Sequence, residues 1–195
     1  YDMYFRVLSV TTDVCILCGS VAPVIVCDFG RVGVAICFDL NFSEIRQRYE
    51  QARPDLLIFP SMYHGGLMQA YWAYACRAHL VTAVCGLPSA ILSPVGSALA
   101  STTNYFDFAI LEVNLDCQMA HLDFNWDKLR AMRARYGTEV SVFDPGYLGS
   151  VLISSESEER SSADLIAEFE VELLDDYMRR SVAHRNNFNN VGKMP

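Results

Sequence analysis

Basic residues are scarce in this sequence, and long apolar runs are absent. The 195 residues include 15 Lys and Arg against 23 Asp and Glu, a formal net charge of −8. Proteins that bind nucleic acids need a basic face to displace phosphate counterions, so the charge argues against that class. No uninterrupted apolar run reaches the roughly 18 residues of a membrane-spanning helix. The composition therefore argues against nucleic-acid and membrane partners.

The sequence contains an odd number of cysteines. There are seven of them, and most stand in apolar surroundings. This favours reduced thiols in a cytoplasmic protein over a disulfide framework. The longest apolar region, residues 14–26, is interrupted by Gly19, Ser20 and Pro23, and it lacks the basic leader and the cleavage site of a secretory signal.

Apolar residues make up 52% of the chain, which is ample material for a buried core. Their periodicity predicts strands at 23–28, 32–38, 55–59, 81–87, 90–93, 97–101, 108–114 and 149–154. It predicts helices at 43–51, 67–80, 123–136 and about 163–180. This alternation of strands and helices predicts an α/β fold.

Cys37 stands at the carboxyl end of the predicted strand 32–38, a few residues before a helix that Ser43 is expected to cap. Ligands of open α/β sheets bind at that edge. The N–H groups of the following turn, beginning with Phe38, favour a thiolate and can stabilise an oxyanion. These residues alone leave open a buried structural cysteine, which is the commoner case.

The run FGRVGVAICFDLNFSE, from Phe29 to Glu44, resembles the nucleophile motif of the nitrilase, or carbon–nitrogen hydrolase, superfamily. That motif reads roughly Gly-x-x-Ile-Cys-x-Asp-x-x-Phe-Pro-Glu. The similarity continues in DLLIFPS at residues 55–61, in Arg77-Ala78, and in the SPVG turn at residues 93–96. It covers roughly residues 17–155.

The resemblance implies an αββα sandwich that pairs into a homodimer or a larger homo-oligomer. It also implies a Glu-Lys-Cys triad that works without a metal or an organic cofactor. The substrates would be small amides, carbamoyl compounds or nitriles, and the intermediate would be a thioester or a thioimidate.

Carried over residue by residue, the resemblance makes Cys37 the nucleophile and gives Phe38 a backbone N–H for the oxyanion. Tyr63 and His64 are candidates for the wall of the substrate pocket. Glu44 and Arg77 are expected to pair and brace the site, although a surface ion pair is an equally open interpretation.

Two residues of the triad are not visible in the sequence. No Glu precedes Glu44, and both lysines, Lys128 and Lys193, follow Cys37. The family lysine would fall near Arg6, whose planar guanidinium does not replace an ammonium. We therefore expect a hydrolase domain over residues 1–155 that is incomplete at its N-terminus, followed by an acidic amphipathic helix and a frayed tail over 156–195. A nitrilase-fold binding or assembly module without activity is the alternative.

Other arrangements receive less support from the sequence. Cys15 and Cys18 have redox or half-zinc spacing, but no second pair follows. A Cys37–His64 dyad of the cysteine-protease kind is conceivable. The other three histidines are expected at the surface of helices or loops; they are His79, His121 and His184.

Overall fold

The computed structural model describes residues 18–191, which form two compact units that divide between Leu115 and Asp116. The division expected from the sequence, between residues 155 and 156, falls inside the second unit. Both units combine a β-sheet with helices, so the predicted α/β class is confirmed. None of the helices in the described range is long and apolar enough to cross a membrane.

The first unit contains one six-stranded sheet in the order β1-β2-β3-β4-β5-β6. Its elements are β1 (Val24–Cys27), β2 (Gly30–Val34), a 3₁₀ helix (Cys37–Asn41), α1 (Ser43–Ala52), β3 (Leu56–Ser61), α2 (Leu67–Cys76), β4 (His79–Val84), β5 (Ala90–Leu92) and β6 (Ala98–Ser101). Strands β2, β3 and β4 are parallel, and the other pairs are antiparallel. The segments that follow β2, β3 and β4 therefore leave the sheet at one edge.

The core of the first unit lies between the sheet and helices α1 and α2. Its largest side chains are fully buried and include Tyr49, Leu57, Phe59 and Trp72. Where α1 crosses β2, the strand has a glycine, Gly33, and there is no room for a side chain. A Cβ at this position would lie 2.7 Å from Cε1 of Tyr49 and 2.8 Å from Cδ2 of Leu57. The missing side chain lets the aromatic ring lie directly on the strand that leads to Cys37.

The second unit is built on a three-stranded antiparallel sheet in the order β7-β9-β8. Its elements are β7 (Cys117–His121), α3 (Trp126–Tyr136), a short 3₁₀ helix (Gly137–Glu139), β8 (Val140–Phe143), β9 (Ser150–Ser155), α4 (Ser162–Glu168) and α5 (Leu174–Val191). Leu129 and Met132 of α3 pack against Ile153 of β9 and Leu165 of α4 in a separate apolar cluster.

The strand predicted at 108–114 is wrong, because those residues have no strand structure. Ile110 is 85% exposed and Phe108 is 62% exposed, so the alternation of apolar residues does not correspond to a face on a sheet. An extended segment becomes a strand only where a neighbour takes up its backbone hydrogen bonds. The next strands in the chain are β7 and β8, which the sequence did not predict and which both find their hydrogen-bond partners in β9.

The helix predicted at 67–80 ends four residues early. Arg77 adopts a left-handed conformation (φ 57°) and its N–H bonds to the carbonyl of Tyr74, which closes α2 at Cys76. Strand β4 then begins at His79, which is only 3% exposed, so its expected surface position is wrong. The early stop allows the N–H of His79 to reach the carbonyl of Asp55 at 3.1 Å.

Two expectations about helix ends also differ from the structure. Ser43 is the first residue of α1 rather than its cap: Phe42 occupies the cap position and makes no side-chain capping bond. The C-terminal helix is broken into α4 and α5, with Glu170 in a left-handed conformation between them (φ 52°). Helix α5 continues past Arg185 to Val191, where fraying was expected.

Candidate active site

Cys37 lies three residues beyond the end of β2, as the first residue of the 3₁₀ helix. The parallel ladder continues past the strand through the N–H of Ala35, which bonds to the carbonyl of Ile58 at 3.0 Å. Cys37 is half-buried and has a φ of 50°. A residue with a side chain is disfavoured in this left-handed region by about 1–2 kcal/mol, and such positions concentrate at functional sites.

The turn around Cys37 is held by Asp39, which is fully buried. Its carboxylate accepts a hydrogen bond from the N–H of Ile36 at 2.9 Å, and its own N–H donates to the carbonyl of Ile36 at 3.0 Å. The N–H of Phe42 donates to the carbonyl of Asp39 at 3.1 Å. The backbone is therefore fixed on both sides of the cysteine, which maintains the unfavourable φ.

Phe38 follows Cys37 in the first turn of the 3₁₀ helix, where N–H groups have no acceptor within the helix. Its ring packs edge-on against Phe42 with a centroid distance of 5.2 Å. Its carbonyl accepts a hydrogen bond from Nδ2 of Asn41 at 3.1 Å. The carbonyl of Phe38 is thus anchored by Asn41, a residue that the sequence did not single out.

Tyr63 stands in the loop after β3, and the same amide of Asn41 donates to its hydroxyl oxygen at 3.0 Å. Ser61 fixes the tyrosine backbone, since its Oγ donates to the carbonyl of Tyr63 at 2.6 Å and accepts from its N–H at 3.0 Å. Burial raises the pKa of Tyr63, the bond from Asn41 opposes this, and the charges of Cys37 and Asp39 raise it further. The phenol of Tyr63 is therefore held in its protonated form.

His64 lies next in this loop, with both its backbone and its ring engaged. Its Nδ1 accepts a hydrogen bond from the N–H of Gly66 at 3.2 Å, and its carbonyl accepts from the side-chain amide of Gln69. A Cβ on Gly65 would lie 3.1 Å from Cδ2 of Leu40, so the loop packs closely on the 3₁₀ helix. A dyad of His64 with Cys37 would have to use Nε2.

Helix α2 contributes a further anchor that the sequence did not reveal. The indole N–H of Trp72, which is fully buried, donates to the carbonyl of Leu40 at 2.9 Å. A donor-only side chain buried in this way needs an acceptor, and the last turn of the 3₁₀ helix provides it. The 3₁₀ helix is thus held by α2 and by the loop after β3.

Glu44 and Arg77 each contact a residue that is close to them in the sequence. A carboxylate oxygen of Glu44 lies 3.0 Å from Arg48 one turn along α1, and both side chains are well exposed. The guanidinium of Arg77 donates to the carbonyl of Tyr74 and lies over the ring of Tyr74. The predicted pairing of Glu44 with Arg77 stays a proposal.

A cavity of about 330 Å³ opens at the carboxyl end of β4, at the sheet edge from which the segment carrying Cys37 also leaves. It combines apolar and polar walls, contributed among others by Val84, Leu87, Ser89, Thr103 and Asp107. Two strand spacings separate β2 from β4, or roughly 10 Å. The lining does not include Tyr63 or His64.

No group of three or more potential metal ligands occurs among residues 18–191. Cys18 is exposed and carries no disulfide. Its CxxC partner Cys15 lies outside the described residues, as do Arg6 and Lys193.

A comparison with known protein family models finds no match. Curated relatives do match by sequence: deaminated glutathione amidase of Mus musculus is 31% identical over 67 residues, which is 34% of this chain and 21% of the relative. The Rattus norvegicus enzyme of the same name is 34% identical over 56 residues, 29% of this chain and 17% of the relative. The matched segment thus spans about a fifth of these relatives.

Solved structures show a partial likeness. Nit3 of Saccharomyces cerevisiae, described as a member of branch 10 of the nitrilase superfamily, has 19% identity, covers 45% of this chain and 38% of its own, and gives a TM-score of 0.41. An amidase from Nesterenkonia sp. AN1, solved as a mutant with acrylamide added to its active-site cysteine, has 20% identity, covers 44% and 40%, and gives 0.40. Over about a third of its length, this chain is therefore similar in sequence to the curated deaminated glutathione amidases.

Proposed function

We propose that this protein hydrolyses non-peptide carbon–nitrogen bonds of small amides, carbamoyl compounds or nitriles, with Cys37 as the nucleophile. The observation that carries the proposal is the placement of Cys37. It is a half-buried cysteine with a φ of 50°, held at the carboxyl edge of a parallel sheet by a buried hydrogen-bonded turn. The amidase names of the sequence relatives support the reaction class.

In the proposed reaction the thiolate of Cys37 attacks the amide carbon, and the carbonyl π electrons move to the oxygen. The N–H of Phe38 stabilises the resulting oxyanion. Collapse of this intermediate breaks the carbon–nitrogen bond, and the nitrogen leaves as ammonia or an amine after taking up the proton that the thiol released. Water then attacks the thioester, which releases a carboxylic acid and restores the thiol. A nitrile instead adds the thiolate at carbon and a proton at nitrogen to form a thioimidate. A first water then releases ammonia and leaves the thioester, which a second water hydrolyses as above.

The remaining site residues have supporting roles in this proposal. Tyr63 and His64 are assigned to the wall of the substrate site at Cys37, and not to the cavity at the end of β4, because their loop packs on the 3₁₀ helix that begins with Cys37. Glu44 and Arg77 support the segments that follow Cys37 and β3. The reaction needs no metal or organic cofactor, since the thiol and its surrounding N–H groups supply the nucleophile and the oxyanion site.

The proposal extends to the compartment and the oligomeric state of the protein. Thiols stay reduced in compartments such as the cytoplasm, and the six described cysteines are free. We place the protein there as a homodimer or a larger homo-oligomer. Exposed apolar side chains on the terminal helix, such as Val182 and Phe188, support self-association.

A second candidate function is a nitrilase-fold binding or assembly module without activity. It is favoured by one observation: no Glu precedes Glu44 in the sequence, and both lysines follow Cys37. The two candidates differ in whether Cys37 reacts with an amide. They can therefore be separated by one covalent labelling experiment.

The experiment uses fluoroacetamide, an amide whose fluoride can be displaced by a thiolate, which leaves a covalent adduct on the sulfur. The chain, a Cys37→Ala variant and a Cys85→Ala control are each incubated with it, and adducts are located by peptide mass spectrometry. We expect rapid, saturable modification of Cys37 that the exposed Cys85 does not share. Slower modification of Cys37 than of Cys85 would contradict the hydrolase proposal and favour the inactive module.

A further inference from the structure

The side-chain amide of Asn41 joins two parts of the candidate site. Its Nδ2 lies 3.1 Å from the carbonyl oxygen of Phe38 and 3.0 Å from the hydroxyl oxygen of Tyr63. A backbone carbonyl can only accept hydrogen bonds, so the group that faces it must be the NH₂ of the amide. This assigns the orientation of the amide and makes Asn41 the donor to both oxygens.

The direction of these bonds determines which hydrogen bond the tyrosine hydroxyl can still donate. Because Tyr63 accepts from Asn41, its own O–H proton is directed to a different acceptor. Burial keeps the phenol protonated by raising its pKa. Accepting one hydrogen bond also polarises the hydroxyl and strengthens the bond that it donates.

The tyrosine is held rigidly in this position. Ser61 binds both backbone groups of Tyr63, and the ring packs edge-on against Phe59 with a centroid distance of 6.1 Å. Through Asn41 the hydroxyl is linked to the carbonyl of Phe38. The hydroxyl of Tyr63 is thus one hydrogen-bonded amide away from Phe38, the residue next to Cys37.

We propose that Asn41 is a positioning residue, which holds the hydroxyl of Tyr63 so that its proton is donated to the carbonyl oxygen of the acyl group bound at Cys37. This inference rests on the proposed hydrolase function and deepens it. A fixed hydroxyl donor of this kind selects substrates that present a carbonyl oxygen. The site therefore prefers amides and carbamoyl compounds to nitriles.

The test compares two alkylating agents on the full chain. Iodoacetamide carries a carbonyl oxygen, whereas iodomethane offers none, and peptide mass spectrometry gives the rate at Cys37 for each. We expect Tyr63→Phe to slow the iodoacetamide reaction about fivefold, the worth of one hydrogen bond, and to leave the iodomethane reaction unchanged. Tyr105→Phe, at an 85% exposed tyrosine, is the matched control and should change neither rate.

Asn41 is tested through its dependence on Tyr63. Asn41→Leu removes the donor, and Asn41→Asp places a carboxylate that captures the tyrosine proton, so both should slow only the iodoacetamide reaction. Combining either change with Tyr63→Phe should add no further loss, because Asn41 acts through the hydroxyl. Circular dichroism and thermal melting show whether each variant is folded.

Three results would overturn the inference while leaving the hydrolase proposal intact. They are an unchanged iodoacetamide rate in Tyr63→Phe, an equal slowing with both reagents, and additive effects in the double variants. A wild-type Cys37 that reacts with iodoacetamide no faster than Cys85 would instead contradict the proposed function, and the inference with it. The two failures are therefore distinguishable.

Discussion

The phenol of Tyr49 hydrogen-bonds both backbone groups of Val34, the last residue of β2. Its hydroxyl donates to the carbonyl at 2.6 Å and accepts from the N–H at 3.3 Å. This buried side chain on α1 thereby supplies backbone partners at the point where the strand stops and the segment with Cys37 begins. The helix that follows the candidate nucleophile thus stabilises the strand that precedes it.

Gly33→Ala tests this close approach of α1 to β2. The new Cβ would lie 2.7 Å from Cε1 of Tyr49, and neither fully buried neighbour, Tyr49 or Leu57, can move away without disturbing the core. We expect a loss of about 1–3 kcal/mol in the free energy of unfolding, as is typical of overpacking. Urea denaturation measures it. In a Tyr49→Leu background the added methyl group should be tolerated better, and equal losses in both backgrounds would contradict the proposed clash with Tyr49.

Cys37→Gly and Cys37→Ala separate the backbone strain from the chemistry of the sulfur. Both variants lose the thiol, but only glycine adopts a φ of 50° without steric penalty. The glycine variant should therefore be the more stable of the two by about 1 kcal/mol, although its unfolded state is more flexible. Thermal and urea unfolding give the difference. A glycine variant that is less stable than the alanine variant would show that the left-handed turn is not strained.

The thiol of Cys76 is predicted to be unreactive in the folded protein. It is 1% exposed, and burial raises its pKa to about 12, against the attraction of the nearby Arg46 and Arg77. At pH 8 a thiol-specific disulfide reagent should label the exposed Cys18 and Cys85 and reach Cys76 only after urea is added. Labelling of Cys76 in the native protein at the rate of Cys85 would contradict its burial.

The same shift predicts a loss of stability in base. A thiol whose folded pKa is raised favours folding fully below its unfolded pKa of about 9, and this contribution is lost as the pH rises towards 12. Cys76→Ala should therefore show a weaker decline of the melting temperature between these pH values than the unmodified chain. Parallel declines would indicate that other groups control unfolding in base.

The hydrophobic pattern located the central strands β2, β3 and β4, but it extended the first of them to residue 38, whereas β2 ends at Val34 and Cys37 begins a 3₁₀ helix. It was wrong at residues 108–114, where exposed Ile110 shows that an apolar alternation alone does not make a strand. It also missed the end of α2 at Cys76. Nothing in the local pattern there reveals that Arg77 adopts a left-handed conformation to turn the chain into β4.

The sequence by itself determined the α/β class and the placement of Cys37 after a buried strand, because the periodicity of apolar residues and the short motif around the cysteine are local properties. Only the tertiary structure decided that Asn41 joins Phe38 to Tyr63, 22 residues further along the chain, and that Trp72 anchors Leu40. Such contacts depend on which segments the parallel strands bring to one edge of the sheet. That arrangement is a property of the packed chain, and the spacing of residues in one segment does not encode it.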